Sequence, residues 1–322
     1  MTAPGIILIV IAVVLVLWLV LCIVLLCGTL LRAKSPVTKP EQMKNLRNYA
    51  DFIRDGVRWL QEREPEEVEI TSYDGLKLRA LYLPAENARC TVILMHGYRS
   101  ERLWDFAGAY ELLHTRGCNL LVPWQRAHGR SEGRFICMGK KEKRDCADWA
   151  RYVEARLGGD MPIVLEGMSM GAATVMMTAG EKLPESVCGI VADCGYSSVW
   201  DEMAHVMRRR MHLPVQPLLG SVELLCRILL GFDFRSGTTD EILRHSTLPL
   251  LLIHGERDKF VPAYFSERNF AAAAAEDKTF ILVPGAGHGG SYLIDPERCK
   301  NAILAFYDRV TGVAWESGKD KV

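Results

Sequence analysis

Gly167-Met168-Ser169-Met170-Gly171 decides the reading of this chain. The apolar run Pro162-Ile163-Val164-Leu165 precedes it, and Ala172-Ala173-Thr174-Val175-Met176-Met177 follows it. The first run suits a buried strand and the second a helix. A G-x-S-x-G pentapeptide between them predicts a sharp strand–turn–helix elbow that exposes the serine hydroxyl as a nucleophile. The glycines have a steric purpose. Side chains two positions either side of such a serine would meet neighbouring backbone.

A nucleophilic serine needs a base, and the base needs an orienting carboxylate. On this type of sheet they follow in the order Ser, Asp or Glu, His. Leu248-Pro249-Leu250-Leu251-Leu252-Ile253 reads as a buried strand and leads into His254-Gly255-Glu256-Arg257-Asp258. Thr279-Phe280-Ile281-Leu282-Val283 reads as the next strand and leads into Pro284-Gly285-Ala286-Gly287-His288. Asp258 and His288 therefore fall just past the carboxyl ends of strands, where open α/β sheets carry their working residues. The oxyanion needs backbone donors. Met170 N–H, directly after the nucleophile, is one candidate. Tyr98 N–H, in the loop after the strand Thr91-Val92-Ile93-Leu94-Met95, is the other. His96 is expected to fix that loop.

From about residue 66 to residue 310 the chain resembles the α/β-hydrolases. More narrowly, it is similar to bacterial membrane-anchored members related to serine aminopeptidase-like hydrolases. The resemblance rests on His96-Gly97-Tyr98, Arg126-Ala127-His128-Gly129-Arg130-Ser131-Glu132-Gly133, the Ser169 elbow, His254-Gly255-Glu256-Arg257-Asp258 and Gly287-His288. It implies an α/β-hydrolase fold: a mostly parallel sheet with helices on both faces and a helical cap insertion. It favours Asp258 over Asp193 as the triad acid, because the spacing and flanking residues of Asp258 match the family. It also implies that Arg126 and His128 are buried hydrogen-bonding residues. Family members often carry Asp where this chain has Trp124, which bears on local pocket shape.

The 322 residues are 49% hydrophobic and 24% charged, with 39 basic and 39 acidic side chains. That composition suits one sizeable α/β domain, and neutral balance gives no reason to expect nucleic acid. No P-loop, G-x-G-x-x-G or metal-ligand spacing occurs, so neither metal nor organic cofactor is expected. The ten cysteines are scattered and read as small buried hydrophobes.

Residues 5–31 carry no charge and are rich in Ile, Leu and Val. About 20 apolar residues span a bilayer. A cleaved signal peptide has a basic start and an apolar core of about 7–15 residues. This segment lacks the first and exceeds the second, so it reads as an uncleaved anchor. Arg32, Lys34, Lys39, Lys44 and Arg47 follow it, which by the positive-inside rule puts the catalytic domain in the cytoplasm.

Three parts are expected: anchor and linker (1–35), a juxtamembrane amphipathic segment (36–65) and the catalytic domain (66–322). Within the second, a linker at 36–40 precedes a helix over 41–64, with Leu46, Tyr49, Phe52, Ile53, Val57 and Leu60 at helical spacing. Asp74-Gly75 predicts a hairpin turn. Between about 196 and 246 the strand–helix alternation stops, and a helical cap over the pocket is expected. Its Arg208-Arg209-Arg210 run is either a solvated face or a contact for an anionic head group.

The resulting expectation is a membrane-anchored serine hydrolase acting on a small or lipid-like carboxylic ester. The same triad would also serve a peptidase or amidase, for which Asp201, Glu202 and Glu223 are candidates to bind a substrate amine. A non-catalytic binding module is the alternative of another class.

Overall fold

The computed structural model describes residues 2–32, 47–100 and 103–312. The linker at 36–40, the start of the expected amphipathic helix, Leu46 and the basic residues Lys34, Lys39 and Lys44 lie outside the described residues.

The strands are β1 (Glu66–Thr71), β2 (Lys77–Leu83), β3 (Cys90–Met95), β4 (Cys118–Pro123), β5 (Ile163–Met168), β6 (Val187–Asp193), β7 (Leu250–Gly255) and β8 (Lys278–Val283). They form one eight-stranded sheet in the order β1-β2-β4-β3-β5-β6-β7-β8. The hairpin β1–β2 and the β2–β4 pairing are antiparallel, and the other pairings are parallel. The helices are α1 (Ala3–Leu30), α2 (Ala50–Gln61), α3 (Tyr110–Thr115), α4 (Glu142–Leu157), α5 (Met170–Thr178), α6 (Val199–Val206), α7 (Leu218–Leu229), α8 (Thr239–Leu243), α9 (Tyr264–Ala272), α10 (Ser291–Ile294) and α11 (Pro296–Thr311).

Central strands covered on both faces read as unbroken apolar runs, and all six residues of β3 and of β4 are buried. Their alternate side chains feed two cores. Val92 and Leu94 face Leu60 of α2, Tyr110 of α3 and Phe306 of α11. Ile93 and Met95 face Trp149 of α4 and Val175 of α5. A third cluster lies beyond the sheet. There Cys22, Leu26 and Leu30 of α1 pack with Leu218, Leu219 and Val222 of α7.

Between β6 and β7 the chain forms α6, a π-helical turn over Met207–Met211, then α7 and α8. This is the helical insertion expected at 196–246. The amphipathic helix is shorter than expected in its described part: one 3₁₀ turn at Arg47–Tyr49, then α2. Ile53 and Leu60 are buried on its inner face.

The last turn of any helix leaves carbonyls without partners. At the end of α1 the domain supplies the donors. Tyr98 Oη donates to the Thr29 carbonyl, Arg99 donates to the Gly28 carbonyl at 2.7 Å, and Ile136 N–H donates to the Leu30 carbonyl at 2.7 Å. Arg32 donates to the carbonyls of Gly129 and Ser131. The apolar helix is therefore seated on the loop after β3, which the sequence alone did not indicate.

Candidate active site

The sheet register brings the site together. Met95 pairs with Gly167, Met168 with Asp193, Asp193 with Ile253, and Gly255 with Val283. Neighbouring strands lie about 4.8 Å apart, so the loops leaving β3, β5, β7 and β8 converge at one edge.

At the elbow Ser169 has φ 56° and ψ −116°, backbone that an L-residue adopts only under constraint. The constraint is packing. A Cβ on Gly171 would lie 1.7 Å from the Met95 carbonyl oxygen, and one on Gly167 would lie 2.3 Å from the Gly171 oxygen. Every residue of α5 is buried, so the helix cannot back away.

Ser169 Oγ lies 2.9 Å from His288 Nε2, and His288 Nδ1 lies 2.6 Å from Asp258 Oδ2. With Nδ1–H donating to the carboxylate, Nε2 is free to accept from the serine hydroxyl. The other Asp258 oxygen accepts the N–H groups of Phe260 at 2.8 Å and Val261 at 2.9 Å. Burial would raise the Asp258 pKa, but hydrogen bonds from His254 and His288 outweigh it and hold the carboxyl well below the usual range. Asp193 is placed differently. Its Oδ1 accepts from Ser291 Oγ at 3.2 Å, and burial pushes its pKa up to about 6. Of the two acids weighed from the sequence, Asp258 is the one hydrogen-bonded to His288.

Tyr98 sits on the loop after β3, and Met170 opens α5. Helix N-termini present unpaired N–H groups. The Tyr98 loop is locked from beneath. His96 Nδ1 bonds the Gly97 carbonyl at 2.8 Å, while His96 Nε2 accepts the Gln125 N–H at 3.0 Å. Both contacts suit a neutral ring, and burial lowers the His96 pKa. His128 Nε2 accepts the Arg99 N–H at 3.0 Å, and burial takes the His128 pKa down to about 3. Arg126 is buried between Asp145 and Asp74, with bonds of 2.6 to 3.1 Å.

The sequence reading overlooked three contributors. Asp105 accepts the Gly97 N–H at 2.6 Å and the Ser100 hydroxyl at 2.9 Å, so it braces the loop after β3. His254 lies 3.4 Å from Asp258 and is fixed by Ser266 and the Val261 carbonyl. The motif containing His254 was visible, but its role depends on contacts 7 and 12 residues away. Phe260 packs edge-on to His288, with ring centroids 5.0 Å apart.

A cavity of about 600 Å³ opens over Ser169. Phe52 and Ile53 of α2, Tyr98, Trp104, Tyr292 and Leu293 line it. The inserted helices were expected to form this pocket, yet Arg210 is their contribution among the described residues. The amphipathic helix α2 takes the place of that roof. Trp124 lies outside the cavity, packed on Gly129.

Cys194, Asp258 and His288 bring possible metal-binding atoms within 4.8 Å of one another. Two of the three are already hydrogen-bonded to each other. Burial holds the Cys194 thiol well above its ordinary pKa, against the thiolate that metals prefer.

Comparisons agree with this architecture. Residues 92–302 match the model of the alpha/beta hydrolase family. The solved esterase Pf2001 of Pyrococcus furiosus is 28% identical, with a TM-score of 0.62 over 79% of this chain and 94% of that one. The uncharacterized protein YqkD of Bacillus subtilis is 23% identical over 82% of this chain and 86% of its own length. Caffeoylshikimate esterase of Arabidopsis thaliana is 24% identical over 70% of this chain and 78% of its own. With its fold, its elbow and a family match spanning most of its sheet, the chain belongs to the alpha/beta hydrolase family.

Proposed function

We propose that this chain is a membrane-anchored serine hydrolase that cleaves carboxylic esters through an acyl-enzyme. The observation that carries the reading is the continuous relay Ser169–His288–Asp258, at 2.9 and 2.6 Å, beneath the cavity. Ser169 Oγ attacks the acyl carbon as its proton passes to His288 Nε2. The oxyanion takes the N–H groups of Tyr98 and Met170, and each such donor is worth about 10²–10³ in rate. As the tetrahedral adduct collapses, His288 returns the proton to the leaving alcohol oxygen. Water then attacks the acyl-enzyme and gives its proton to His288, which passes it to Ser169 Oγ as the bond to the acyl group breaks and the acid departs. Asp258 holds the imidazole in the required tautomer and offsets its positive charge. The esterase names of Pf2001 and of the plant relative support ester chemistry.

A peptidase on the same triad would need an acid to hold the substrate amine. Asp201 is paired with Arg268, and Glu223 with Arg235. Glu202 is buried and does not line the cavity. The arrangement therefore favours esters. Comparing p-nitrophenyl esters with aminoacyl-nitroanilides tests this, and faster turnover of the anilides would reverse the assignment.

The anchor in this reading is α1. Its 28 residues carry no charge, are mostly apolar, and reach about 42 Å. A bilayer core is about 30 Å thick. Packing against the domain starts at Trp18, whose Nε1 donates to Ser221 Oγ of α7 at 3.1 Å. The turns before Trp18 span only about 22 Å. The segment that completes the span is thus already in contact with α7. That helix exposes Leu224, Ile228 and Leu229 at 56%, 69% and 62%. An anchored α1 brings this apolar face to the bilayer. The basic residues after α1 favour the cytoplasmic side. Protease added outside intact cells would digest the domain if that orientation is wrong.

A further inference from the structure

The cavity over Ser169 is lined by two unlike sets of residues. Phe52, Ile53, Trp104, Tyr292 and Leu293 are its apolar lining, while Arg210, Arg257 and Lys259 give it a cationic one. None of these three cations has a carboxylate partner among the described residues. Two described acids near the cavity are already used. Asp105 holds Gly97 and Ser100, and Asp258 is bonded to His288. Glu202, close to Arg210, is buried with both carboxyl oxygens unpartnered, and burial raises its pKa well above the ordinary value.

The cationic lining adjoins one particular part of the chemistry. The Arg210 guanidinium lies 4.9 Å from the centroid of Phe260, whose ring is edge-on to His288 at 5.0 Å. His288 is the group that returns a proton to the leaving oxygen. This adjacency is the ground for placing the departing alcohol beside Arg210 and the acyl chain against the apolar residues. Guanidinium and ammonium groups suit phosphate and carboxylate oxygens. Low-dielectric walls around like charges concentrate anionic ligands.

We propose that the substrate is an acyl ester whose alcohol carries an anionic group, phosphate or carboxylate, held by Arg210, Arg257 and Lys259. The proposal rests on the serine-esterase reading above and adds the class of its leaving group. A phospholipid-type head group and a soluble phosphorylated alcohol offer the same anion.

The test uses the full chain in detergent and two matched substrates, 4-carboxyphenyl butyrate and 4-carbamoylphenyl butyrate. Their ratio of kcat/KM is compared between the native protein and the triple variant Arg210→Gln, Arg257→Gln, Lys259→Gln. Both esters are assayed on one preparation, so any loss of folded enzyme cancels. The ratio is expected to fall by about tenfold in the variant, mainly through KM. In the native protein it should fall as salt rises. An unchanged ratio overturns the proposal. A larger loss on 4-nitrophenyl hemisuccinate, whose anion lies on the acyl side, overturns the placement at the leaving group. Oleoyl-glycerol phosphate and butyryl-glycerol phosphate separate the two sources: cleavage of the first alone assigns a lipid, cleavage of the second alone a soluble alcohol. Cleavage of neither overturns both assignments. The Ser169→Ala variant keeps the two ideas apart. If it still turns over both aryl butyrates, the serine-hydrolase reading fails, whereas an unchanged ratio with turnover dependent on Ser169 removes the anion wall alone.

Discussion

Tyr98 joins the apolar helix to the catalytic loop: its hydroxyl donates to the carbonyl of Thr29, while its own backbone N–H is a candidate oxyanion donor. Arg99 adds a second tie at Gly28, and the positive charge suits a helix C-terminus. From the sequence, removal of residues 1–35 should leave an active soluble domain, because the candidate catalytic residues all lie later. The hydrogen bonds change that expectation. Deleting residues 1–35 is now predicted to lower kcat on a short ester by about tenfold or more, since a misplaced donor loses much of its effect. Deleting residues 2–17 keeps these ties and should cost far less. Equal activity of the two truncations would show that the loop holds its shape without α1.

Asp258 and Asp193 compete for one role, and their substitutions should differ. Asp258→Asn leaves His288 without its acceptor and is expected to reduce kcat by about 10⁴-fold. Asp193→Asn keeps an oxygen that can accept from Ser291 Oγ, touches no contact of His288 and should cost much less. The ranking is read from steady-state kinetics on a p-nitrophenyl ester, and the reverse order would move the acid to β6.

Glu166, on β5, gives stability a pH dependence. Burial raises its pKa from 4.5 to about 7, partly offset by the hydrogen bond from Tyr307 at 2.7 Å. The folded state therefore keeps a proton that the unfolded chain has released. Its contribution is full below about 4.5 and is lost as pH rises through about 7. Glu166→Gln should flatten the fall in thermal stability between these values, a difference of up to about 3 kcal/mol. Parallel melting curves for the two proteins across that window would contradict the assignment.

The apolar face of α7 supplies a test of the anchored arrangement. A spin label at Ile228→Cys, in full-length protein in liposomes, should be more accessible to oxygen than to a water-soluble nickel reagent. Unmodified protein treated alike gives the background from the native thiols. The opposite accessibility would place α7 in water, and release of unsubstituted protein by carbonate would remove the anchor itself.

The strands, the elbow and the positions of Asp258 and His288 at strand ends were legible because each leaves a local trace. Buried strands need apolar runs, and the turn at Ser169 needs glycine where Met95 and Gly171 backbone approach. What stayed hidden depends on distant packing. Asp105 lies outside any helix or strand, and nothing near it marks it as the brace of Gly97. The docking of α1 joins residues about 70 positions apart in the chain. Phe52 was recognised as part of an amphipathic face, but the periodicity of that face cannot tell a core contact from a pocket wall. The Arg208-Arg209-Arg210 run was equally ambiguous, because only its fold position separates Arg210, in the cavity, from its two neighbours.

The most direct test of the serine mechanism is fluorophosphonate labelling of the full-length protein, with the adduct located by peptide mass spectrometry. One adduct is predicted, on Ser169, with labelling lost in Ser169→Ala together with about 10⁶-fold of kcat. Undiminished labelling and turnover in the Ser169→Ala protein would contradict the mechanism.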